Sequence, residues 1–476
     1  MSGDSCTAPR PVPLTRHALE ERTGMPATPA PVRIVHLGLG AFARAHQAWY
    51  TAQVDEDNAW GIAAFTGRSA TVATQLAPQD GLFTLIERSG QADRASIVTS
   101  VVEVEDGANV DRLAELLGDR DTSIVTLTVT EAGYRLRADG APDLADPIVS
   151  ADLALLRVHL VALDLTGASP PLQSALGRLV WGLAARQHAD AGPLAIVPCD
   201  NMPGNGAFVR RGTIELARSA STELADWIGA NVSFVSTSVD RITPATTVED
   251  IAEVATTTGW ADAAPVVTEP FSDWVLSGDF PAGRPRWERA GARFVDDIEP
   301  YERRKLWLLN GAHSLLAYTG LSRGHGTVAE AVADPACRAE VLALWDEAGR
   351  HLPDGLDLQQ YCDALLGRFG NTRIEHRLDQ IAAEGSTKLR VRAVPVARAE
   401  RAAGRDAHAA AVPIGAWIAL ILDGHELVDA QRASIVAAAS DPHPERTLVG
   451  LLDGALSEDD AFLRGVTDTV ARMRGQ

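Results

Sequence analysis

A glycine-rich turn between a strand and a helix is the feature that most restricts the fold of this chain. The β-prone run 33–37 leads into Gly38-x-Gly40-x-x-Ala43, and a helix-compatible stretch follows over 41–54. The first glycine permits a tight turn, the second lets the backbone approach a phosphate, and the small third residue lets helix and strand pack closely. The free N–H groups at the start of such a helix favour an anion. The turn therefore predicts an α/β domain that binds a dinucleotide.

Strand-like segments alternate with helical patterns over the first part of the chain. The further predicted strands are 60–66, 95–104, 122–130 and 194–197. Such alternation predicts a mostly parallel, doubly wound sheet. From about residue 297 long helical patterns predominate, over 301–318, 328–347, 356–368, 374–384, 409–422 and 459–474. We therefore expect a dinucleotide-binding domain over 1–290, with a loosely packed arm up to about residue 30, and a mainly α-helical domain over 291–476.

Composition excludes several classes of partner. A net charge of −20 disfavours nucleic acids and anionic membranes, since both require a basic surface. The four cysteines form no CxxC pair and no metal-ligand spacing. The longest apolar run, 409–422, is too short to span a bilayer, and no signal-peptide pattern precedes the first strand. We expect a cytoplasmic protein with reduced cysteines.

Lysine is so rare in this chain that each one requires an explanation. Lys305 and Lys388 are the only lysines among 43 basic residues. A helical period of about 100° per residue places Glu302, Asn310 and His313 in one arc with Lys305. Apolar and small residues surround this polar stripe, which is therefore expected to be buried.

Two interpretations of the stripe remain open. A buried lysine loses its proton more readily than arginine and can serve as a general acid or base. Asn310 and His313 would then donate hydrogen bonds to a substrate oxygen that gains charge. The alternative is a structural ion pair between Glu302 and Lys305, with hydrogen-bonded Asn310 and His313 in the core.

The choice between NAD and NADP is open at this stage. The tip of the second strand of a dinucleotide-binding domain usually carries an acid that binds the ribose 2′-hydroxyl. Here the sequence is Thr66-Gly67-Arg68-Ser69, without an acid. Arg68 is a candidate partner for a 2′-phosphate, or a solvated surface residue.

The chain resembles the polyol-specific long-chain dehydrogenases over nearly its whole length. The most specific match is the spacing Lys305-x4-Asn310-x2-His313. The other matching segments, in chain order, are 34–46, 128–134, 199–206, 239–244, 269–274 and 385–388.

This resemblance implies a zinc-independent, NAD(P)-dependent oxidoreductase with a Rossmann-type domain, a helical domain and an active site between them. By position, Lys305 is the general acid/base, Asn201 and Asn310 clamp the reacting oxygen, and His313 and Asp240 orient sugar hydroxyls. Glu302 would relay the proton of Lys305 or tune its pKa. The residues implied at the cofactor loop are Gly38, Gly40, Phe42, Arg44, Thr130 and Glu131.

The substrate implied by the resemblance is a sugar acid or a polyol. The segment 373–388 is closer to the fructuronate reductase branch, which implies D-mannonate and D-fructuronate. His376, Arg377 and Lys388 are candidates for binding the carboxylate, because charge-assisted hydrogen bonds hold such a group best. Alternatively, these three are surface cations or phosphate contacts.

Three other functions are compatible with parts of this sequence. The first is the oxidation of mannitol or another C5–C6 polyol, and the second is action on a phosphorylated polyol. The third is a non-catalytic NAD-binding sensor, which the intact Lys305, Asn310 and His313 disfavour. We expect a monomer, since the family is often monomeric and no heptad seam is evident.

Overall fold

The computed structural model describes residues 10–162 and 168–475. The chain forms two compact units. The first comprises the chain up to Arg88 together with Ala92–Ile298, and the second comprises Ser89–Gln91 together with the chain from Glu299 onward. The division therefore falls a few residues after position 290. Cys6 lies outside the described residues.

The first unit is built around a six-stranded parallel sheet. Its strands, with those of three smaller sheets, are β1 (Val12–Pro13), β2 (Val32–Leu37), β3 (Gly61–Phe65), β4 (Phe83–Arg88), β5 (Asp93–Val98), β6 (Val101–Glu105), β7 (Ile124–Leu127), β8 (Leu194–Pro198), β9 (Val232–Phe234), β10 (Ser236–Asp240), β11 (Trp260–Ala261), β12 (Val266–Thr268), β13 (Asp273–Ser277) and β14 (Arg293–Phe294). The order in the large sheet is β6-β3-β2-β7-β8-β9. The smaller sheets are β1-β11, β10-β13-β14 and β12-β4-β5.

The strand order reverses between β2 and β7, because the chain first builds outward to β3 and β6 and then returns to β7. In open α/β sheets, ligands bind outside the carboxyl ends of the strands at such a reversal. The turn that follows β2 is therefore in the position where a dinucleotide is expected.

The central strands are apolar because both of their faces are covered. Val35 and Val125 contribute to one hydrophobic cluster, whereas their neighbours Ile34 and Ile124 contribute to the cluster on the opposite face.

The helices of this unit are α1 (Arg16–Thr23), α2 (Ala41–Ala43), α3 (Trp49–Val54), α4 (Thr71–Leu76), α5 (Val110–Gly118), α6 (Glu131–Tyr134), α7 (Pro147–Ala162), α8 (Ala175–His188), α9 (Asn205–Ala220), α10 (Thr222–Asn231) and α11 (Val248–Thr258). A π-helical segment, Arg44–Ala48, joins α2 to α3.

The second unit is helical in its described part. Its helices are α12 (Glu299–Arg304), α13 (Gly311–Ser322), α14 (Val328–Ala333), α15 (Pro335–Gly349), α16 (Leu358–Phe369), α17 (Leu378–Ala382), α18 (Gly385–Arg392), α19 (Val394–Ala402), α20 (His408–Leu422), α21 (Arg432–Ala439), α22 (Pro444–Leu452), α23 (Gly454–Ser457) and α24 (Asp460–Met473). A second π-helical segment, Lys305–Asn310, joins α12 to α13. Helix α13 is buried from Gly311 to Gly320 and packs against α14, α15, α17 and α20.

Four segments differ from the expectations drawn from the sequence. The helix expected over 328–347 is two helices, α14 and α15, because Asp334 has an extended backbone and caps α15. The single strand expected over 95–104 is two strands, since β5 pairs with β4 and β6 pairs with β3. The helix expected over 374–384 is limited to α17, because the backbones of Arg377 before it and Ala383 after it are extended. The lead-in is not loosely packed from residue 12 onward, since β1 pairs with β11 and the side chains of Leu14 and Leu19 are buried.

The described residues include no helix that combines the length and the apolar character needed to cross a lipid bilayer.

A buried carboxylate holds part of the second unit together. The side chain of Glu400 is 1% exposed and accepts hydrogen bonds from Arg405, Arg350 and His351. Hydrogen bonds lower the pKa of Glu400 to about 2, and those from Arg405 contribute more than the one from His351. The ionised form is therefore the one that stabilises the fold.

We predict that Glu400→Gln lowers the free energy of unfolding by about 2 kcal/mol at pH 7, since charged hydrogen bonds of a buried group are lost. The carboxylate contributes stability above its unfolded pKa of 4.5, and this contribution disappears as the pH falls through about 2. The difference in the free energy of unfolding between wild type and variant, measured by urea unfolding, should therefore become smaller as the pH is lowered. The exposed Glu458→Gln serves as the matched control, and a constant difference down to pH 2 would contradict this account.

Candidate active site

The glycine turn of the first unit is shaped by close contact with β7. Gly38 has a φ of 108°, and a Cβ atom on it would lie 2.5 Å from the carbonyl oxygen of Thr128. A Cβ on Gly40, in contrast, would have no neighbour nearer than 3.7 Å. The backbone at the start of α2 is thus left open on the side where a diphosphate would approach, and the residues present fit a dinucleotide.

Hydrogen bonds fix this turn before any ligand binds. The N–H of Gly38 donates to the carbonyl of Phe65 over 2.9 Å, and the hydroxyl of Thr128 donates to the carbonyl of Gly38 over 2.7 Å. Nε2 of His36 lies 3.1 Å from Oγ1 of Thr128. Burial lowers the pKa of His36 to about 4, so this imidazole is neutral near pH 7. Strand β2 and the end of β7 are therefore joined beneath the turn.

Arg44 contacts the turn from the interior of the protein. Its Nε donates to the carbonyl of Gly40 over 3.3 Å, and its Nη1 donates to the carbonyl of Ala264. Burial lowers its pKa to about 10. Phe42 stacks on His46, with 5.0 Å between ring centroids. The predicted loop residues thus lie in the turn and its helix, where Arg44 supports the backbone from behind.

The other predicted cofactor residues follow the carboxyl ends of parallel strands. Thr130 and Glu131 come after β7, and Arg68 comes after β3, all three exposed. Arg68 makes no hydrogen bond or ion pair within the described residues. Asn201 follows β8 and is also exposed. Because parallel strands end at one edge of a sheet, these residues share the edge that carries the glycine turn.

A buried carboxylate supports the loop of Asn201, a role that the sequence analysis missed. The hydroxyl of Tyr134 donates to Oδ2 of Asp200 over 2.7 Å. Oδ1 of Asp200 accepts from the N–H of Met202 and from Nδ2 of Asn205. Burial raises the pKa of Asp200. Both Tyr134 and Asp200 lie in segments that follow strands, which is the signal that could have identified them.

Asp240 lies outside the large sheet. It is the last residue of β10 and pairs in register with Asp273 of β13. Its neighbour Arg241 is fully buried, donates to a carboxylate oxygen of Glu87 over 2.6 Å, and lies over the ring of Trp49. Asp240 is therefore placed at the end of a firmly anchored strand.

In the second unit, a π turn carries the predicted catalytic stripe. The N–H of Gly311 donates to the carbonyl of Leu306, five residues back, within the segment Lys305–Asn310. A single π turn of this kind occurs frequently at functional sites. Lys305 and Asn310 are the first and last residues of this segment, while Glu302 lies in α12 before it and His313 lies in α13 after it. The helical periodicity of the sequence did not predict the wider turn.

The stripe is less buried than predicted. Lys305, Asn310 and Glu302 are half-buried, whereas His313 is 8% exposed. Nε2 of His313 has no hydrogen-bond partner in the described part of the chain. Burial, followed by the charges of nearby cations, holds the pKa of His313 well below its ordinary value. The imidazole is therefore neutral and available as a hydrogen-bonding group.

Two of the three predicted carboxylate-binding residues lie near His313, and the third does not. The ring of His376 meets that of His313 edge-on, with 4.8 Å between centroids. The charge of Lys388 is among those that act on His313. Arg377, in contrast, is exposed and pairs with Asp379 over 2.6 Å. The carboxylate-binding role of Arg377 stays a prediction, and in this structure its guanidinium pairs with a neighbouring acid.

Within residues 10–162 and 168–475, no cluster of three or more His, Cys, Asp or Glu side chains has an arrangement that could hold a metal ion.

Comparison with known proteins places both units in one family. The mannitol dehydrogenase Rossmann domain matches residues 32–289, and the mannitol dehydrogenase C-terminal domain matches residues 297–440. The chain belongs to the mannitol dehydrogenase family. The predicted family, the Rossmann-type sheet with a helical C-terminal domain, and the oxidoreductase class are thereby confirmed.

Relatives within this family are named for different substrates. The chain is 36% identical to D-mannonate oxidoreductase of Escherichia coli over 399 residues, which cover 81% of this chain and 79% of that protein. It is 38% identical to D-arabinitol 4-dehydrogenase of Ralstonia nicotianae over 371 residues, 76% of each chain. A solved structure, the ternary complex of Pseudomonas fluorescens mannitol 2-dehydrogenase with NAD and D-mannitol, matches with a TM-score of 0.74 and 32% identity, covering 94% of both chains.

We predict that Gly38→Ala weakens dinucleotide binding at least tenfold, because the added methyl group would clash with the carbonyl of Thr128 and the backbone would be strained. Titration of protein fluorescence with NADH measures the dissociation constant. Gly229→Ala, at a site where a Cβ meets nothing within 4 Å, is the control. Equal affinity of the Gly38 variant and wild type would show that the turn does not contribute to the site.

Proposed function

We propose that this chain catalyses the NAD-dependent interconversion of D-mannonate and D-fructuronate, with Lys305 as the general acid/base. The observation that carries this proposal is that Lys305, Asn310 and His313 lie in one continuous helical segment, formed by the π turn and α13. Two further points support it: the relationship to D-mannonate oxidoreductase, and the cations near His313, which suit an anionic substrate.

The residues of the stripe have complementary roles in moving a proton. In the oxidation, Lys305 in its neutral form accepts the hydroxyl proton of the substrate as the C–H bond breaks. Asn310 would donate a hydrogen bond to the same oxygen. The neutral His313 would hold an adjacent hydroxyl. In the reduction, Lys305 returns the proton to the carbonyl oxygen.

The hydride acceptor is supplied by NAD when it is bound. We propose NAD because the solved ternary complex of a relative contains it. The backbone at Gly38 and Gly40 would hold the diphosphate, and Thr130 and Glu131 would lie beside it at the same sheet edge. NADP is the alternative, because exposed Arg68 replaces the usual acid after β3 and could pair with a 2′-phosphate.

A second candidate function is the oxidation of a neutral polyol. Relatives named mannitol 2-dehydrogenase and D-arabinitol 4-dehydrogenase have similar identity to this chain. The Lys305 stripe would serve both functions, because the proton transfer at the reacting carbon is the same. The substrate is therefore decided by residues away from that carbon.

A substrate panel tests the proposal. We expect oxidation of NADH with D-fructuronate at a kcat/KM at least about 100-fold above that with D-fructose or D-xylulose, since each 1.4 kcal/mol of selective binding gives a factor of ten. Lys305→Ala should lower kcat at least about 100-fold and leave the affinity for NADH within threefold. Turnover of D-fructose without turnover of any uronate would overturn the choice of substrate. A fully active Lys305→Ala would overturn the choice of base.

Glu302 is proposed to tune Lys305 from one helical turn away. Removal of its negative charge favours the neutral amine, so Glu302→Gln should shift the pH profile of kcat for oxidation toward lower pH. The exposed Glu458→Gln, in the same unit, controls for the loss of one negative charge. An unchanged profile in Glu302→Gln would exclude the tuning role.

A further inference from the structure

Cationic side chains are concentrated around His313 in the second unit. The groups whose charges oppose protonation of His313 are His376, Arg368, Arg392 and Lys388. They come from three places in the chain: the end of α16, the segment before α17, and α18. These cations are brought together in a chain whose net charge is −20. Such a concentration favours an anion.

Arg392 lies directly against the turn that carries the catalytic stripe. Its Nη1 donates to Oγ of Ser314 over 3.0 Å and to the carbonyl of Asn310 over 3.3 Å. Its Nε is enclosed and has no hydrogen-bond partner among the residues that the structure describes. The guanidinium is therefore positioned by two contacts and retains donors for a third.

No carboxylate in the described part of the chain forms an ion pair with Arg392. Burial lowers its pKa to about 10, and the group that opposes this shift is the phenol of Tyr318. A buried charge without an opposite charge is costly. Nε2 of His313 is likewise enclosed and unpartnered. An anionic ligand that reaches both groups would remove these costs.

Lys388 adds a second cation on the same face of α18. It lies four residues before Arg392, and residues four apart are neighbours on a helix surface. Its Nζ donates to the carbonyl of Ile381 over 2.9 Å. Burial and then the charge of Arg392 lower the pKa of Lys388, while Glu384 raises it. The helix thus presents two cations that repel each other and that a shared anion would stabilise.

We propose that Arg392, with Lys388 beside it, binds the terminal carboxylate of the substrate and so selects sugar acids over neutral polyols. A guanidinium can hold a carboxylate through two parallel N–H bonds, which a CH2OH group cannot accept in the same way. The inference rests on the proposed function, because it takes the Lys305 stripe as the reacting end of the site. It adds Arg392 as the residue that recognises the other end.

Turnover of two substrates tests this role of Arg392. Arg392→Gln should lower kcat/KM for D-fructuronate at least about 30-fold, since a charged hydrogen bond is lost, and change that for D-fructose less than threefold. Arg390→Gln is the matched control, because Arg390 is exposed on the same helix and donates only to the carbonyl of Leu451 in the described residues. An equal loss with both substrates would assign Arg392 a merely structural role and overturn the proposal.

Equilibrium binding separates this inference from the proposed function. Isothermal titration with D-mannonate, at saturating NAD, should show at least tenfold weaker binding to Arg392→Gln than to wild type, with partial recovery in Arg392→Lys. D-mannitol should bind both proteins equally. Selective loss of D-mannonate binding without fructuronate turnover by wild type would support the inference and refute the proposed function. Wild type that binds no D-mannonate, or prefers D-mannitol 1-phosphate, would overturn the carboxylate site.

Discussion

The cost of removing charged groups from water is the constraint on which the second unit depends. Helix α13 is buried along ten successive residues, and the polar groups that precede it on the π turn must be compensated locally. The hydrogen bonds from the Arg392 guanidinium to the carbonyl of Asn310 and to Oγ of Ser314 provide part of this compensation. The remaining donors, on His313 and Arg392, are satisfied if a substrate supplies the acceptors. Binding and folding thus rely on the same side chains.

In the first unit, neutral hydrogen bonds join the glycine turn to the neighbouring strands. The turn after β2 is held by Thr128, by His36 in its neutral form, and by the carbonyl of Phe65. Arg44 supports the turn from the interior. A preorganised backbone of this kind loses little entropy when a diphosphate binds. These interactions are consistent with a cofactor that is held by backbone groups and a substrate that is selected by side chains.

Local patterns made much of the architecture predictable. A glycine pair between an apolar strand and a helix can form few other structures, and the apolar periodicity around Lys305 indicated a helix. The π turn could not be foreseen, since a wider turn has no residue signature in a single sequence. Arg392 was missed because 78 residues separate it from Ser314. The ion pair between Arg377 and Asp379 was not foreseen, because sequence does not show which neighbouring acid a surface arginine pairs with.

The most direct test of the central claim is a crystal structure of the protein with NAD and D-mannonate. The account predicts that the reacting hydroxyl lies within hydrogen-bond distance of Nζ of Lys305 and the side chain of Asn310. It also predicts that the carboxylate lies against the guanidinium of Arg392. A D-mannonate molecule whose carboxylate faces another cation, or whose reacting carbon lies away from Lys305, would contradict it.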